Sequence, residues 1–338
     1  MNSRWAFPDK PQQVPKSPDK SRQGRTSPGK ASLLTHRNPM TLTPPVAIYG
    51  LGNMGYPIAE RIGRHFPTQV FDLDDTRVEK ARALFGAAPM GRPQDLADTR
   101  VVVLCLPSPA SSLSVIEQIA PHLPQGAVVI ESSTVNPEHV HAGQKRLAPF
   151  GVDVVDASIL AGVEQMAAGS ATLALGGKPD AIARSQGVLD AIASRQIHFG
   201  ALGAGAAAKV INNAVAHAVM VVVAEAGAMA TAAGVGCEKL IALLSDPRMG
   251  LHRPLTYRYA QRVVKGDYTG GMPLDAARKD STLALQLAQT LGVPLFAIQG
   301  AHSVYDIAAA AGHGRQDYAV IAKLWAGWGC PTVPGPGP

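Results

Sequence analysis

Between Pro45 and about Gly200, short runs of consecutive apolar residues alternate with segments of helical periodicity. Consecutive apolar residues are typical of strands that are buried on both faces of a parallel sheet. The segments between them carry apolar residues every three or four positions, as helices packed on such a sheet do. The pattern therefore predicts an α/β domain with a doubly wound parallel sheet. The predicted strands cover residues 46–50, 68–74, 100–107, 126–134, 151–160, 170–177 and 196–200.

After Gly200 the strand pattern stops, and helical segments separated by Gly or Pro follow, which predicts an all-α C-terminal domain. Its first helix starts in the segment GAGAAAKVINNAVAHAVMVVVAEAG, residues 203–227, and is predicted to continue to about Ala233. A helix this apolar needs burial on nearly all sides, so we expect it to form the core of a homodimer or homotetramer. Its longest uninterrupted apolar run, Ala218–Ala224, is too short to span a bilayer, and we expect no membrane partner.

The net charge of +6 comes entirely from the N-terminal segment. Residues 1–43 contain eight basic and two acidic side chains, whereas the remainder contains 23 of each. A neutral body gives no electrostatic footprint for nucleic acid, so no nucleic-acid partner is predicted. Residues 1–43, rich in Pro, Ser, Lys and Gln, are predicted to be a disordered basic tail without a function of its own. A transit peptide and a nucleic-acid-binding arm stay alternatives. The predicted organisation continues with domains at 44–202 and 203–330 and a disordered end at 331–338.

The three cysteines are far apart and form no CxxC pair. They are therefore expected to be free thiols in a reducing compartment, and a cytoplasmic protein is predicted. The paired histidines of the chain lack the company of other metal-ligating residues, so no metal site is predicted.

A glycine-rich loop follows the first predicted strand and precedes a helix. In this context GxGxxG is typical of a Rossmann-type dinucleotide site. The first glycine permits the tight turn, the second lets the backbone approach a pyrophosphate, and the third allows close packing of helix and strand. The helix N-terminus supplies free N–H donors for the pyrophosphate. The predicted cofactor-binding residues of the loop are Gly50, Leu51, Gly52, Asn53, Met54 and Gly55.

Asp72 lies 20 residues beyond Gly52, at the end of the second predicted strand. A carboxylate there can bond the ribose hydroxyls of an adenosine and would repel a 2′-phosphate, which favours NAD. Arg77 is the opposing signal, because an arginine nearby can hold that phosphate, so NADP stays open.

Lys209 is the only lysine or arginine between Arg195 and Lys239. Lys209 and Asn213 are four residues apart and share one helix face. A lysine in apolar surroundings has a lowered pKa and can exchange a proton with a substrate oxygen. The alternative is a structural lysine whose ammonium reaches solvent along the helix.

With these motifs the chain resembles the β-hydroxyacid dehydrogenases over residues 45–328. GLGNMG (50–55) resembles their cofactor loop, SST (132–134) a cofactor segment, and DASILAG (156–162) stands at their substrate loop. GAGAAAKVINN (203–213) is similar to their catalytic pattern, and KDSTLAL (279–285) to a segment that reaches the cofactor from the helical domain.

The resemblance implies that Lys209 is the general acid/base and that Asn213 aligns it with the substrate oxygen. It implies hydride transfer between a nicotinamide cofactor and a small 3-hydroxy acid or its semialdehyde. The further cofactor contacts that it implies are Leu106, Pro107, Thr134 and Lys279, and the implied substrate contacts are Ser133, Leu160, Ala161, Gly162 and Asn212.

The substrate loop departs from the family pattern. Where the family has the Ser-Gly pair that binds a carboxylate, this chain has Leu160 and Ala161. Either another group holds the carboxylate (Ser133, Arg248 or Arg253), or the substrate is less polar at that end. The loop also resembles that of imine reductases, which makes imine reduction an alternative function. A redox-silent NAD-binding scaffold is a further alternative, disfavoured by the pairing of Lys209 with Asn213.

Overall fold

The structure is a computed structural model that describes residues 44–330. The predicted tail at 1–43 and the predicted end at 331–338 lie outside these residues. The described part begins with eight strands and six helices that alternate along the chain. The strands are β1 Val46–Tyr49, β2 Thr68–Phe71, β3 Ala88–Pro89, β4 Val101–Leu104, β5 Val128–Glu131, β6 Asp153–Leu160, β7 Thr172–Gly177 and β8 Arg195–Gly200.

The strands form one sheet in the order β3-β2-β1-β4-β5-β6-β7-β8. Six neighbouring pairs are parallel, but β6 and β7 are antiparallel, so β7 and β8 run against the other six strands. The predicted doubly wound parallel sheet is confirmed, with this one antiparallel pair as the exception. Periodicity could not reveal it, because a buried antiparallel strand has the same apolar pattern as a parallel one. The six helices are α1 Gly55–Gly63, α2 Asp75–Phe85, α3 Pro109–Ile119, α4 Pro137–Leu147, α5 Val163–Ala168 and α6 Pro179–Ile192.

Apolar side chains pack on both faces of the sheet. One buried cluster joins the sheet to α1 and α6 through Ile48, Ile58 and Leu189. The other joins it to α3 and α4 through Leu104 and Val129 on the opposite face. This double covering is what the consecutive apolar strands require, and it fixes the carboxyl ends of β1, β4, β5 and β6 as a rigid edge.

The remaining chain is helical, as predicted, although the segment Pro254–Val263 is a π-helix. The first helix is 29 residues long, and its end at Ala232 is one residue before the predicted one. It contacts β6, β7 and β8 with its first turns and α8, α9 and α10 further along. The helices are α7 Ala204–Ala232, α8 Cys237–Ser245, α9 Leu274–Leu291, α10 Ala297–Ala310 and α11 Ala322–Gly327.

Only four of the 29 residues of α7 are buried within the single chain. In its most apolar window of 18 residues, mean hydropathy is 1.6 and only 11% of the residues are buried. By length and composition alone this helix could cross a membrane, so the argument from its longest uninterrupted run does not exclude that environment.

Candidate active site

The glycine loop lies between β1 and α1 at the carboxyl edge of the sheet. Gly50 has a φ of 94°, and a Cβ there would strike the carbonyl oxygen of Cys105. A Cβ at Gly52 would instead meet nothing closer than the Arg77 guanidinium at 4.0 Å. No acceptor in the described part of the chain is hydrogen-bonded to the amide N–H groups of Asn53 and Met54. The loop therefore offers free donors and space for a phosphate, as the cofactor prediction requires.

Asp72 lies at the end of β2 and holds the loop in place. Its Oδ2 accepts a hydrogen bond from the Leu51 amide at 2.6 Å, and its Oδ1 accepts one from the Asp74 amide at 2.9 Å. Arg77 is placed between the two acids, with Nη1 3.6 Å from Asp72 and Nε 3.2 Å from Asp74. Asp72, which favours NAD, and Arg77, which could hold the phosphate of NADP, thus form an ion pair with each other.

The loop forms one end of a cavity of about 920 Å³. This volume lies within the range of about 300–1,000 Å³ for small-molecule and cofactor sites. The predicted site residues that line it are Gly50, Gly52, Asn53, Met54, Gly55, Asp72, Leu106, Pro107, Ser133, Thr134, Ala161 and Lys209.

Lys209 lies in the second turn of α7, where its side chain is half-buried. Its Nζ donates a hydrogen bond to the backbone carbonyl of Ile159 at 2.6 Å. Burial lowers the pKa of Lys209, because desolvation disfavours the ammonium form. A lysine oriented in this way can exchange a proton with a group in the cavity.

The asparagines that follow Lys209 are not among the residues that line this cavity. Asn212 is exposed and Asn213 is partly buried, and the Asn212 amide group lies 3.5 Å from Asn213 Oδ1. Their predicted roles stay predictions, because the cavity of the described chain does not reach them.

Lys279 lies on α9, where it is exposed and pairs with Asp280 at 3.0 Å. It lines a separate groove of about 380 Å³ with Asp275 and Arg278, rather than the cavity that holds Lys209. A cofactor contact by Lys279 within one chain would need a different placement of α9.

The predicted substrate loop is divided between the cavity and a helix cap. Ala161 lines the cavity, whereas the Gly162 amide caps α5 by donating to Oε1 of Gln165 at 3.0 Å. Leu160, at the end of β6, is not among the cavity residues. The loop thus presents no side-chain hydroxyl to a carboxylate, as its departure from the family pattern predicts.

Of the three alternative anchors, Arg248 and Arg253 do not line the cavity, and Ser133 is hydrogen-bonded within the protein. Its hydroxyl accepts a hydrogen bond from the Leu106 amide at 2.8 Å and lies 3.3 Å from the Ser112 hydroxyl. Its own amide donates to the buried Glu131 carboxyl at 2.9 Å, and burial raises the pKa of Glu131. Ser133 therefore fixes the cavity wall formed by Leu106 and Pro107.

Two parts of the site were missed at the level of sequence. The Ile159 carbonyl, which orients Lys209, is a backbone atom that leaves no signal in residue type. The α3 side chains that line the cavity are small or polar residues without a motif. They are Ser111, Ser114, Val115 and Gln118.

Both halves of the chain match known family models. Residues 45–200 match the NAD binding domain of 6-phosphogluconate dehydrogenase. Residues 203–325 match the family described as NAD-binding of NADP-dependent 3-hydroxyisobutyrate dehydrogenase. These matches meet at the start of α7, at the junction between the sheet and the helices.

Similar proteins cover most of the chain. L-threonate dehydrogenase of Cupriavidus necator is 30% identical over 83% of this chain and 96% of its own length. Mitochondrial 3-hydroxyisobutyrate dehydrogenase of Homo sapiens is 27% identical over 90% of this chain and 93% of its own. An imine reductase structure from Pseudomonas sp. has a TM-score of 0.74 at 22% identity, covering 83% of this chain and 99% of that one, and shows the same fold.

The sheet, the phosphate cradle and the matched nucleotide-binding families define an NAD(P)-dependent oxidoreductase. Within that class, the chain belongs to the β-hydroxyacid dehydrogenase family. The resemblance found in the sequence is thereby confirmed, whereas the roles of the individual site residues stay predictions.

Proposed function

We propose that this protein transfers a hydride between NAD(P) and a small 3-hydroxy acid or its semialdehyde, with Lys209 as the general acid/base. The observation that carries the proposal is the position of Lys209, which lines the same cavity as the glycine loop. The relatives named as dehydrogenases of threonate and 3-hydroxyisobutyrate support this substrate class.

When bound at the glycine loop, the reduced cofactor would supply the hydride for reduction and the oxidised cofactor would accept it in oxidation. In the direction of oxidation, the neutral Lys209 amine takes the proton of the substrate hydroxyl. In the direction of reduction, its ammonium returns a proton to the carbonyl oxygen. The Lys209 amine donates one hydrogen bond to the Ile159 carbonyl, which holds Nζ in place. The remaining N–H group and the lone pair of the neutral amine are left for the substrate. The pKa lowered by burial increases the fraction of neutral amine available for oxidation.

We propose that NAD(H) is preferred over NADP(H). A 2′-phosphate would lie beside the Asp72 carboxylate, and the nearest cation, Arg77, is already shared between Asp72 and Asp74. The ratio of kcat/KM for the two cofactors measures the preference. A clear preference for NADPH would show that Arg77 dominates.

Imine reduction is the second candidate for this site. It is favoured by Ala161, which lines the cavity where the family has a glycine, and by the Gly162 amide, which is bonded to Gln165 rather than free for a carboxylate. A panel of 3-hydroxy acids, semialdehydes and cyclic imines, followed by nicotinamide absorbance, separates the two reactions.

We propose that a second copy of the chain covers the exposed apolar surface of α7. Ile211, Val215 and Met220 are all more than half exposed on this helix. Ile211 and Val215 are four residues apart and share one face, whereas Met220 lies on another side of the helix. Such a surface is larger than a soluble single chain normally leaves open. The ionisable Lys209 and the buried Glu225 within this helix favour a protein partner over a bilayer. The three free thiols support a cytoplasmic protein. The cavity at the glycine loop supports a small-molecule substrate, and the equal numbers of basic and acidic side chains after residue 43 support the lack of a nucleic-acid partner.

The assignment of Lys209 is tested with Lys209→Ala. We expect kcat to fall by about 10²–10⁴, the usual contribution of a positioned general acid/base. The Kd of the nucleotide should change little, since the glycine loop holds the pyrophosphate. Tm should change little, because the removal of a half-buried charge and the helix propensity of alanine offset the lost hydrogen bond to the Ile159 carbonyl. Full turnover would remove Lys209 from the mechanism, and a large loss of Tm would indicate a structural role.

A further inference from the structure

Asp156 is a fully buried carboxylate in β6 that contacts the beginning of α7. Its Oδ1 accepts a hydrogen bond from the Gly203 amide, and its Oδ2 accepts one from the Ala206 amide, each at 2.8 Å. The first amides of a helix have no partner within the helix, and a negative charge is favourable at that end. A residue 47 positions before Gly203 thus caps α7 across the fold.

Two glycines fix the position of this carboxylate. A Cβ at Gly205 would lie 2.9 Å from Asp156 Oδ2, and a Cβ at Gly176 would lie 2.7 Å from both carboxylate oxygens. The backbone of β7 and of α7 therefore closes around Asp156 from two sides. Because interiors are close-packed, the carboxylate has little room to change its rotamer.

The strand β6 holds α7 a second time, at Lys209. The Nζ of Lys209 bonds to the carbonyl of Ile159, three residues after Asp156 in β6. Lys209 is likewise three residues after Ala206, so both lie on the same helix face, one turn apart. Strand β6 therefore holds both the first turn of α7 and the Nζ atom of Lys209.

We infer that Asp156 is a positioning residue for proton transfer by Lys209. By holding two amides of the first turn, it sets the axial position and the rotation of α7, and hence the position of Nζ in the cavity. A displacement of about 1 Å in a reacting group can cost about 10²-fold in rate. The inference rests on the role proposed for Lys209.

Glu225 provides a matched comparison within the same helix. It is also a buried carboxylate that caps a helix, since it accepts hydrogen bonds from the amides of Phe296, Ala297 and Ile298 at the start of α10. It lies sixteen residues beyond Lys209, or about 24 Å along the helix at 1.5 Å per residue. A purely structural cap should behave like Glu225.

The test compares Asp156→Asn with Glu225→Gln in the full chain. The asparagine turns one acceptor into a donor that faces an amide, so the first turn of α7 must shift. We expect kcat to fall by about 10- to 100-fold, with the nucleotide KM unchanged. For Glu225→Gln we expect a lower Tm with kcat within about twofold, because its loss is confined to a cap. An Asp156→Asn enzyme that keeps full kcat would overturn the inference.

A double-mutant cycle separates positioning from general damage. If Asp156 acts through Lys209, Asp156→Asn causes no further loss of kcat in the Lys209→Ala background. An equal loss in both backgrounds would overturn the inference while leaving Lys209 in its role. Full turnover of Lys209→Ala would overturn the proposed function and this inference together. Should Asp156→Asn fail to fold, the same cycle applies to Asp156→Ser, which removes the carboxylate without placing an amide donor against the Gly203 or Ala206 amide.

Discussion

The nucleotide-binding half and the helical half of this chain differ in how completely each buries its own apolar residues. Residues 44–202 contribute to two large buried clusters, one on each face of the sheet. The only cluster confined to residues 203–330 has six buried members. Of the large apolar side chains that are exposed in the described chain, five lie in the first half and 18 in the second. The first half therefore buries nearly all of its own core, to which the second half adds Ala206 of α7. The second half leaves apolar surface available for a partner.

The first test of this comparison is a glycine substitution in the nucleotide-binding half. Gly50→Ala places a Cβ against the Cys105 carbonyl at a positive φ. We expect the free energy of unfolding to fall by about 3 kcal/mol or more, from backbone strain and overlap together. Chemical denaturation measures it.

Gly86→Ala is the matched control for Gly50→Ala. Gly86 also has a positive φ, 72°, at the C-terminus of α2, but a Cβ there meets nothing within 4 Å. Its expected cost is the backbone strain alone, about 1–2 kcal/mol. Equal losses for the two variants would show that close packing at the glycine loop is not what requires Gly50.

The second test addresses the exposed apolar surface of the helical half. Val215→Glu places a charge on an α7 position that is 58% exposed in the single chain. If a second copy covers it, the buried charge should cost about 2 kcal/mol or more per copy and shift the protein to monomer. Sedimentation and the concentration dependence of Tm measure this shift.

Leu84→Glu is the control for Val215→Glu, since Leu84 is 67% exposed on α2 in the nucleotide-binding half. This variant should stay within about 0.5 kcal/mol of the parent. A monomeric parent protein, or two variants that behave alike, would contradict coverage by a second copy. Partition of the parent into lipid vesicles would instead assign the apolar surface of α7 to a membrane.

The third test, with the smallest expected effect, examines whether the nucleotide-binding half alone selects the substrate. Leu160→Ser with Ala161→Gly restores the family pattern at the substrate loop. We expect kcat/KM for small 3-hydroxy acids to rise. If a buried carboxylate contact is gained, the rise corresponds to about 1–3 kcal/mol of additional transition-state stabilisation. Leu160→Ser alone is the control for the glycine. Unchanged or lower activity on such acids would mean that the helical half, or its partner, sets specificity.

Local patterns in the sequence determined much of this protein. Consecutive apolar strands predicted the sheet, the glycine loop predicted the phosphate cradle, and a lone lysine in an apolar helix predicted Lys209 as a site residue. Each of these signals is carried by neighbouring residues, because helical and strand periodicity and the first βα turn are local properties. The long helix was likewise predicted within one residue of its end.

Tertiary structure decided what depends on residues far apart in the chain. The antiparallel pairing of β6 with β7, the Ile159 carbonyl that holds Lys209, and the cap that Asp156 provides for α7 join segments that no local period connects. The same holds for Lys279, which its motif assigned to the cofactor and which the fold of one chain places in a separate groove. A sequence pattern states which residues can carry the chemistry, but the packing of strand on helix determines which of them share a cavity.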